Sequence, residues 1–222
     1  MTTEFISISK IDFKELKFSR TKQNTGKRFI DVFYNKKPLG IKLAKMRIPF
    51  DTQLSKYNQL EMNLSLEDPE TAECFREFDR QMEKYADENS WNSENYSYTP
   101  IVKESKAQQS NGDFFPSTVR FKIQQKDSKI LTSFYDQEKK RTSVDKPDDV
   151  VKLLKKGTNV ASAIEVSGVW FMGDKWGVSF KVEQVMVFEP EKRKEVAVDD
   201  YLFESDDSGS EASNSCFIVD SE

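Results

Sequence analysis

The sequence contains no histidine and only two cysteines, Cys74 and Cys216. Without an imidazole, the chain has no histidine base, no Ser-His-Asp or Cys-His site and no histidine metal ligand. Two thiols placed so far apart cannot build a four-thiolate zinc site, and a structural disulfide is not expected. The composition therefore predicts an intracellular, reduced protein without a metal site or a cofactor.

Glycine is also scarce, and the hydrophobic residues are dispersed. The 8 glycines form no glycine-rich phosphate-binding loop. No stretch approaches the roughly 20 apolar residues of a membrane span, and residues 1–10 lack a signal-peptide run, so no membrane association is expected. The carboxylates Asp12, Asp148 and Asp149 form no spaced acidic set with a helper lysine, as a metal-dependent nuclease would need. The sequence thus predicts a protein that is not an enzyme.

Acidic residues are concentrated at the C-terminus. Residues 195–222 contain nine acids and no lysine or arginine, whereas residues 1–194 carry 34 bases against 29 acids, a net charge of +5. We expect residues 1–190 to form one domain and residues 191–222 a disordered acidic tail. At low salt the basic domain attracts such a tail, and a bound polyanion has to displace it. This arrangement is typical of a regulated nucleic-acid-binding surface.

Alternating hydrophobic residues predict a mainly β domain with one inserted helix. Strand patterns cover residues 28–34, 39–48, 58–66, 117–126 and 130–135, the last two as a hairpin. Asp68 as N-cap and Pro69 after it predict a helix over residues 68–89. Residues 159–188 form a long hairpin that turns at Gly173-Asp174, with bulges or bends at Gly168 and Gly177. These elements favour an OB-like five-stranded barrel, which binds single strands on a strand face.

Positive charge and aromatic rings are interleaved in residues 20–47, where nine bases accompany a single acid, Asp31. A groove for a single strand needs spaced cations for phosphates and exposed rings for bases. The alternative is a solvated face over a core strand. The candidate phosphate-binding residues of this segment are Arg20, Lys22, Lys27, Arg28, Lys36, Lys37, Lys42, Lys45 and Arg47.

Other elements supply further candidates for the same surface. Arg120 and Lys122 share one strand face, for which an ordinary exposed surface is the simpler interpretation. The candidate stacking rings are Phe29, Phe33, Tyr34 and Trp176. Trp170 lies in an apolar run and is expected in the core.

The late hairpin carries a specific motif. Residues 166–182 read VSGVWFMGDKWGVSFKV, followed by EQVMVF at 183–188. This pattern resembles the late hairpin of single-stranded-DNA-binding proteins of nucleocytoplasmic large DNA viruses, which are related to the OB-fold single-stranded-DNA-binding protein of short-tailed coliphages. The remainder of the chain matches in plan only: a β-rich body, an inserted helix and an acidic tail.

The resemblance implies a sequence-independent single-stranded-DNA-binding protein of viral DNA replication, recombination and repair. It implies a tail that contacts the viral DNA polymerase and helicase, here through Asp206, Asp207 and Phe217, although the phage relative's tail ends in an aromatic residue and this chain ends in Glu222. The implied location is the host cytoplasm, in viral factories, or the nucleus. Two alternative functions remain open: an RNA-binding protein, and a non-enzymatic scaffold or transcription-accessory protein. A homodimer also remains open as the assembly.

Overall fold

The structure is a computed structural model that describes residues 3–19, 22–24, 27–55, 58–89, 91 and 96–189. For residues 22–24 and 27 it describes the backbone alone. The predictions for the acidic tail, including Asp206, Asp207 and Phe217, lie outside the described residues, as does Arg20.

The described chain is mainly β, with one long helix between strands. The strands are β1 Glu4–Ser7, β2 Leu16–Phe18, β3 Lys22–Asn24, β4 Lys27–Ile30, β5 Val32–Tyr34, β6 Lys37–Arg47, β7 Gln53–Leu54, β8 Leu60–Ser65, β9 Ser97–Thr99, β10 Thr118–Ile123, β11 Gln125–Lys126, β12 Lys129–Ile130, β13 Ser133–Tyr135, β14 Arg141–Thr142, β15 Asn159–Met172 and β16 Lys175–Phe188. The helices are α1 Pro69–Glu88 and α2 Pro147–Leu153, with short 3₁₀ turns at Ile8–Lys10 and Phe13–Glu15. The predicted mainly β fold with an inserted helix is confirmed.

Five neighbouring strands form the centre of the sheet, in the order β6-β15-β16-β10-β8. Antiparallel pairing joins β6 to β15, β15 to β16 and β10 to β8, whereas β10 runs parallel to β16. The two outer strands of this run, β6 and β8, come within 8 Å of each other between Cα atoms. The sheet therefore curls into a partly closed barrel.

Helix α1 closes the core on the inner side of the sheet. Its N-cap is Asp68, whose side chain accepts a hydrogen bond from the Thr71 backbone N–H at 2.8 Å, as the sequence predicts. Phe75 and Phe78 on its buried face are fully enclosed and pack against the inward rings of β10 and β16. Each such ring contributes about 2 kcal/mol through burial, so the helix is a structural part of the domain rather than an appendage.

Two predicted strand arrangements differ in the structure. The pattern over 28–34 divides into β4 and β5 at Asp31, and these strands pair with different partners, β15 and β6. Residues 130–135 do not form a full hairpin with 117–126. The tight turn at Asp127 and Ser128 joins only β11 and β12, and β13 then pairs parallel to β16. The Thr132 hydroxyl donates to the Val182 carbonyl at 2.7 Å and fixes this crossing.

Candidate nucleic-acid interface

A groove of about 430 Å³ lies where β4, β8, β10 and the hairpin of β15 and β16 meet. The loop after β9 forms another part of its wall. We call this depression the basic groove. Its described cationic and aromatic lining residues are Arg28, Phe29, Lys103, Arg120, Lys122, Trp170, Phe171 and Phe180, of which Phe171 and Phe180 are buried.

Phe29 and Trp170 are neighbours on one face of the sheet. They lie directly opposite each other in the antiparallel pairing of β4 with β15, and both rings are half-buried. Directly opposed residues of antiparallel strands are about 5 Å apart at Cβ and point to the same side. The two rings therefore present an aromatic surface along one wall of the groove.

A glycine lies beneath each of these rings. A Cβ atom added to Gly168 would lie 2.5 Å from Cζ of Phe29, and one added to Gly177 would lie 2.8 Å from Cζ2 of Trp170. Gly168 also adopts φ +142° beside a shift in the pairing of β15 with β16, so the predicted bulge there is confirmed. Gly177 lies in regular pairing, so the structure has no bulge at this position. Its lack of a side chain makes room for the indole instead.

The cations of the groove differ in their surroundings. The Arg28 guanidinium lies 4.4 Å from the centre of the Phe171 ring, a cation-π contact that holds its side chain at the groove. Arg120 donates to Glu61 at 2.9 Å, so a phosphate has to compete with this carboxylate. Lys122 is exposed on β10, next to Arg120 on the same face. The predicted face of Arg120 and Lys122 thus belongs to the same groove as Arg28 and Phe29.

Lys103 supplies positive charge from the loop that follows β9. Burial lowers the pKa of Lys103, and the neighbouring charge of Arg120 lowers this pKa further. A bound anion would relieve the repulsion between the two cations, which is the electrostatic condition for binding a phosphate.

A buried carboxylate on α1 holds the same loop in place. Asp79 accepts hydrogen bonds from the Tyr98 hydroxyl at 2.6 Å and from the backbone N–H groups of Ile101 and Val102 at 2.8 and 3.1 Å. Burial raises the pKa of Asp79, while these three donors oppose that effect. Burial also raises the pKa of Tyr98, so its hydroxyl stays protonated and remains a donor. Helix α1 thereby positions one wall of the groove.

Two predicted stacking rings are unavailable to a base. Trp176 is 0% exposed, because it faces inward opposite Phe171 and packs 4.4 Å from the Tyr98 ring and 5.4 Å from Trp91 between centroids. Tyr34 is 7% exposed, with its hydroxyl 3.4 Å from the backbone nitrogen of Asp12. The predictions that these two rings stack on bases are wrong. The core position predicted for Trp170 is also wrong, since that ring lies in the groove.

Among the residues whose side chains the structure describes, the other predicted members of the basic segment lie outside the groove lining. Lys37 pairs with Glu4 at 3.2 Å, and Arg47 lies 3.9 Å from Glu67. Lys36 is in the turn before β6, Lys42 is exposed on β6, Lys45 lies over the Phe188 ring, and Phe33 is half-buried on β5. The backbone of Lys22 lies opposite Phe29 in the pairing of β3 with β4, with Lys27 at the start of β4. The bases with described side chains, Lys36, Lys37, Lys42, Lys45 and Arg47, therefore do not form one continuous track with the groove.

Sequence reasoning did not assign the cation Lys103 or the ring of Trp170 to the groove. Lys103 lies in a loop without hydrophobic periodicity, so its position in the groove could not be predicted from the sequence. Trp170 did leave a signal. Counting outward from the turn at Gly173-Asp174 puts Gly177 opposite Trp170 and leaves room for a large ring on that face.

The described residues contain neither a metal-binding cluster nor a membrane-spanning helix. These residues contain no cluster of three or more acidic, cysteine or histidine side chains that could hold a metal ion. No helix within the described ranges is both long and apolar enough to cross a membrane.

No known protein family matches this sequence, and no curated protein is significantly similar to it. Several solved structures are similar at low identity. The single-stranded DNA-binding protein from bacteriophage Enc34 is 13% identical, with a TM-score of 0.46 over 83% of this chain and 98% of that chain. The same protein in complex with single-stranded DNA is 9% identical, with a TM-score of 0.44 over 79% of this chain and 97% of that chain. The protein gp2.5, a single-stranded DNA binding protein encoded by bacteriophage T7, is 12% identical, with a TM-score of 0.42 over 72% of this chain and 97% of that chain.

Proposed function

We propose that this protein binds single-stranded DNA without regard to sequence and performs no catalysis. The observation that carries the proposal is the basic groove, where the adjacent rings of Phe29 and Trp170 face Arg120 and Lys122 across one depression. Aromatic rings stack on every base, and cations bind every phosphate, so the combination selects unpaired strands without reading their sequence. The groove offers groups that bind phosphates and stack on bases.

Tryptophan fluorescence provides a direct test. Trp91 and Trp176 are 5% and 0% exposed, whereas Trp170 is half-buried in the groove, so quenching by a bound base reports on Trp170. Titration with oligo-dT should quench this emission, and the Trp170→Phe variant should bind with little quenching because Phe retains a stacking ring. The absence of any oligo-dT binding at low salt would refute the proposal.

The polynucleotide partner is proposed to be DNA, with RNA as the competing outcome. Parallel titrations with oligo-dT and oligo-rU of equal length decide between the two, because their backbones differ at the 2′-hydroxyl. A scaffold or transcription-accessory protein, which uses basic residues to bind protein acids, would respond to neither oligomer.

The biological setting is part of the same proposal. We propose a role in viral DNA replication, recombination and repair, with a relationship to the proteins of nucleocytoplasmic large DNA viruses supported by the motif at residues 166–188. The site of action would then be the viral factory in the host cytoplasm or the nucleus. The viral polymerase and helicase are the proposed partners of the acidic tail, and a homodimer is the proposed assembly to be tested by sedimentation.

The tail is proposed to compete with DNA for the basic groove. The nine acids of residues 195–222 oppose the net positive charge of residues 1–194, which supports an attraction that salt weakens. Replacing these acids by Asn and Gln in the full chain should tighten oligo-dT binding at low salt and change it little at high salt. Equal affinities of the two proteins at low salt would contradict the competition.

A further inference from the structure

A second cavity beside the basic groove contains exposed aromatic rings. Phe50 and Phe115 are 59% and 51% exposed and line a depression of about 450 Å³ together with Lys103 and Lys156. Exposed aromatic rings that share one depression mark a candidate interaction site. We call this depression the Phe50–Phe115 cavity.

The cavity is continuous with the basic groove. Lys103 lines both depressions. Arg120 also lines a shallower depression that contains Phe50 and Lys156, so a second route joins the two sites. A strand that leaves the basic groove past Arg120 can therefore enter the depression of Phe50 and Lys156, whose lining also contains Asp51 and Glu61.

The charges around the cavity suit a phosphate backbone. Arg47 and Glu67 are paired with each other at 3.9 Å, and Glu104 accepts from Arg76 at 3.0 Å. Among the described residues, no carboxylate lies within ion-pair distance of the Lys103 or Lys156 ammonium group. Both cations are thus available for anions at the mouth of the cavity.

We infer that the Phe50–Phe115 cavity binds further nucleotides of the same single strand that occupies the basic groove. One or two bases stack on Phe50 and Phe115, and their phosphates bind Lys103 and Lys156. Flat rings beside unpaired cations favour nucleotides, whereas the apolar segment of a partner protein would leave these ammonium groups without a counter-charge. The inference rests on the proposed function, and it extends the DNA path beyond the groove.

The test compares short and long oligo-dT on the full chain with the double variant Phe50→Ala/Phe115→Ala. Because both rings are more than half exposed, the variant should keep the fold. For an oligomer of about 20 nucleotides, loss of stacking should weaken binding by about 5-fold to 100-fold. For an oligomer of about 5 nucleotides, which the basic groove accommodates alone, the affinity should stay within about twofold.

Two controls keep the inference distinct from the proposed function. Phe114→Ala is the matched control, because Phe114 is 59% exposed and lies outside the cavity lining. The occluded length on poly-dT, measured through Trp170 quenching, should be shorter for the double variant. If the double variant kept both the affinity for the long oligomer and the occluded length, the inference would be overturned, and a protein-docking surface would be indicated. If Phe114→Ala lost as much affinity for the long oligomer as the double variant, the placement of the nucleotides in the Phe50–Phe115 cavity would be overturned. A wild-type protein that binds no oligomer would instead refute the proposed function.

Discussion

Replacing Lys122 by alanine should make oligo-dT binding less sensitive to salt. Lys122 is exposed on β10 and lines the basic groove. Its removal takes away one phosphate contact without touching the core, because the side chain faces outward. The affinity should therefore fall at low salt, and it should approach that of the wild type as the salt concentration rises.

The magnitude follows from the cations in the groove. Its described lining contains four of them: Arg28, Lys103, Arg120 and Lys122. One phosphate for each gives a slope of log K against log salt of about −2.8 for a single strand, and a change from about 50 to about 200 mM salt then weakens binding about 50-fold. With three cations the slope is about −2.1 and the loss about 20-fold.

Fluorescence titration of Trp170 over this salt series measures both slopes. The control is Lys152→Ala, which removes an exposed lysine from α2 outside the groove and should keep the wild-type slope. Identical slopes for wild type and Lys122→Ala would refute the assignment of Lys122 to a phosphate. A wild-type slope close to zero would refute the electrostatic role of the groove as a whole.

Three further predictions concern the supports of the groove. Asp79→Asn should lower the free energy of unfolding by about 1–3 kcal/mol in urea titrations, because an amide NH₂ would face a backbone N–H; equal stability would contradict this. Gly168→Ala should weaken DNA binding by displacing the Phe29 ring. The control Gly157→Ala lies at φ +89° with nothing within 4 Å of the added Cβ, so it should lower stability without changing DNA binding. Equal DNA binding by the two variants would show that Gly168 does not position Phe29. Because burial and the charge of Arg120 lower the pKa of Lys103, wild-type affinity should begin to fall at a lower pH than the one at which ordinary lysines lose charge. Lys103→Arg should abolish that early part of the fall, and parallel pH profiles of the two proteins would contradict this role of Lys103.

The secondary structure was largely readable because its causes are local. The alternation at Leu60, Met62 and Leu64 specifies a half-buried strand, and Asp68 before Pro69 specifies a helix start. The turn at Gly173-Asp174 sets the register of the long hairpin. Each of these features depends on backbone geometry and on neighbours close in sequence, which a single sequence displays.

The residues of the basic groove could be predicted only in part from the sequence, because their exposure depends on which face of each strand helix α1 covers. Arg28, Phe29, Arg120 and Lys122 were identified from charge and strand pattern, and the fold brings them into one groove. Lys103 arrives on a loop that is held by hydrogen bonds to Asp79 on α1. No local pattern reports this contact, since the two residues belong to different elements.

The sequence by itself determined a mainly β domain with an inserted helix, an acidic C-terminal segment and the pairing of Trp170 with Gly177. Only the tertiary structure decided which tryptophan faces outward. Helix α1, Trp91 and Tyr98 cover the face that contains Trp176 and leave Trp170 in the groove. The physical reason is that residues 169–172 of β15 are apolar on both faces, so the exposure of Trp170 is determined by what packs against each face.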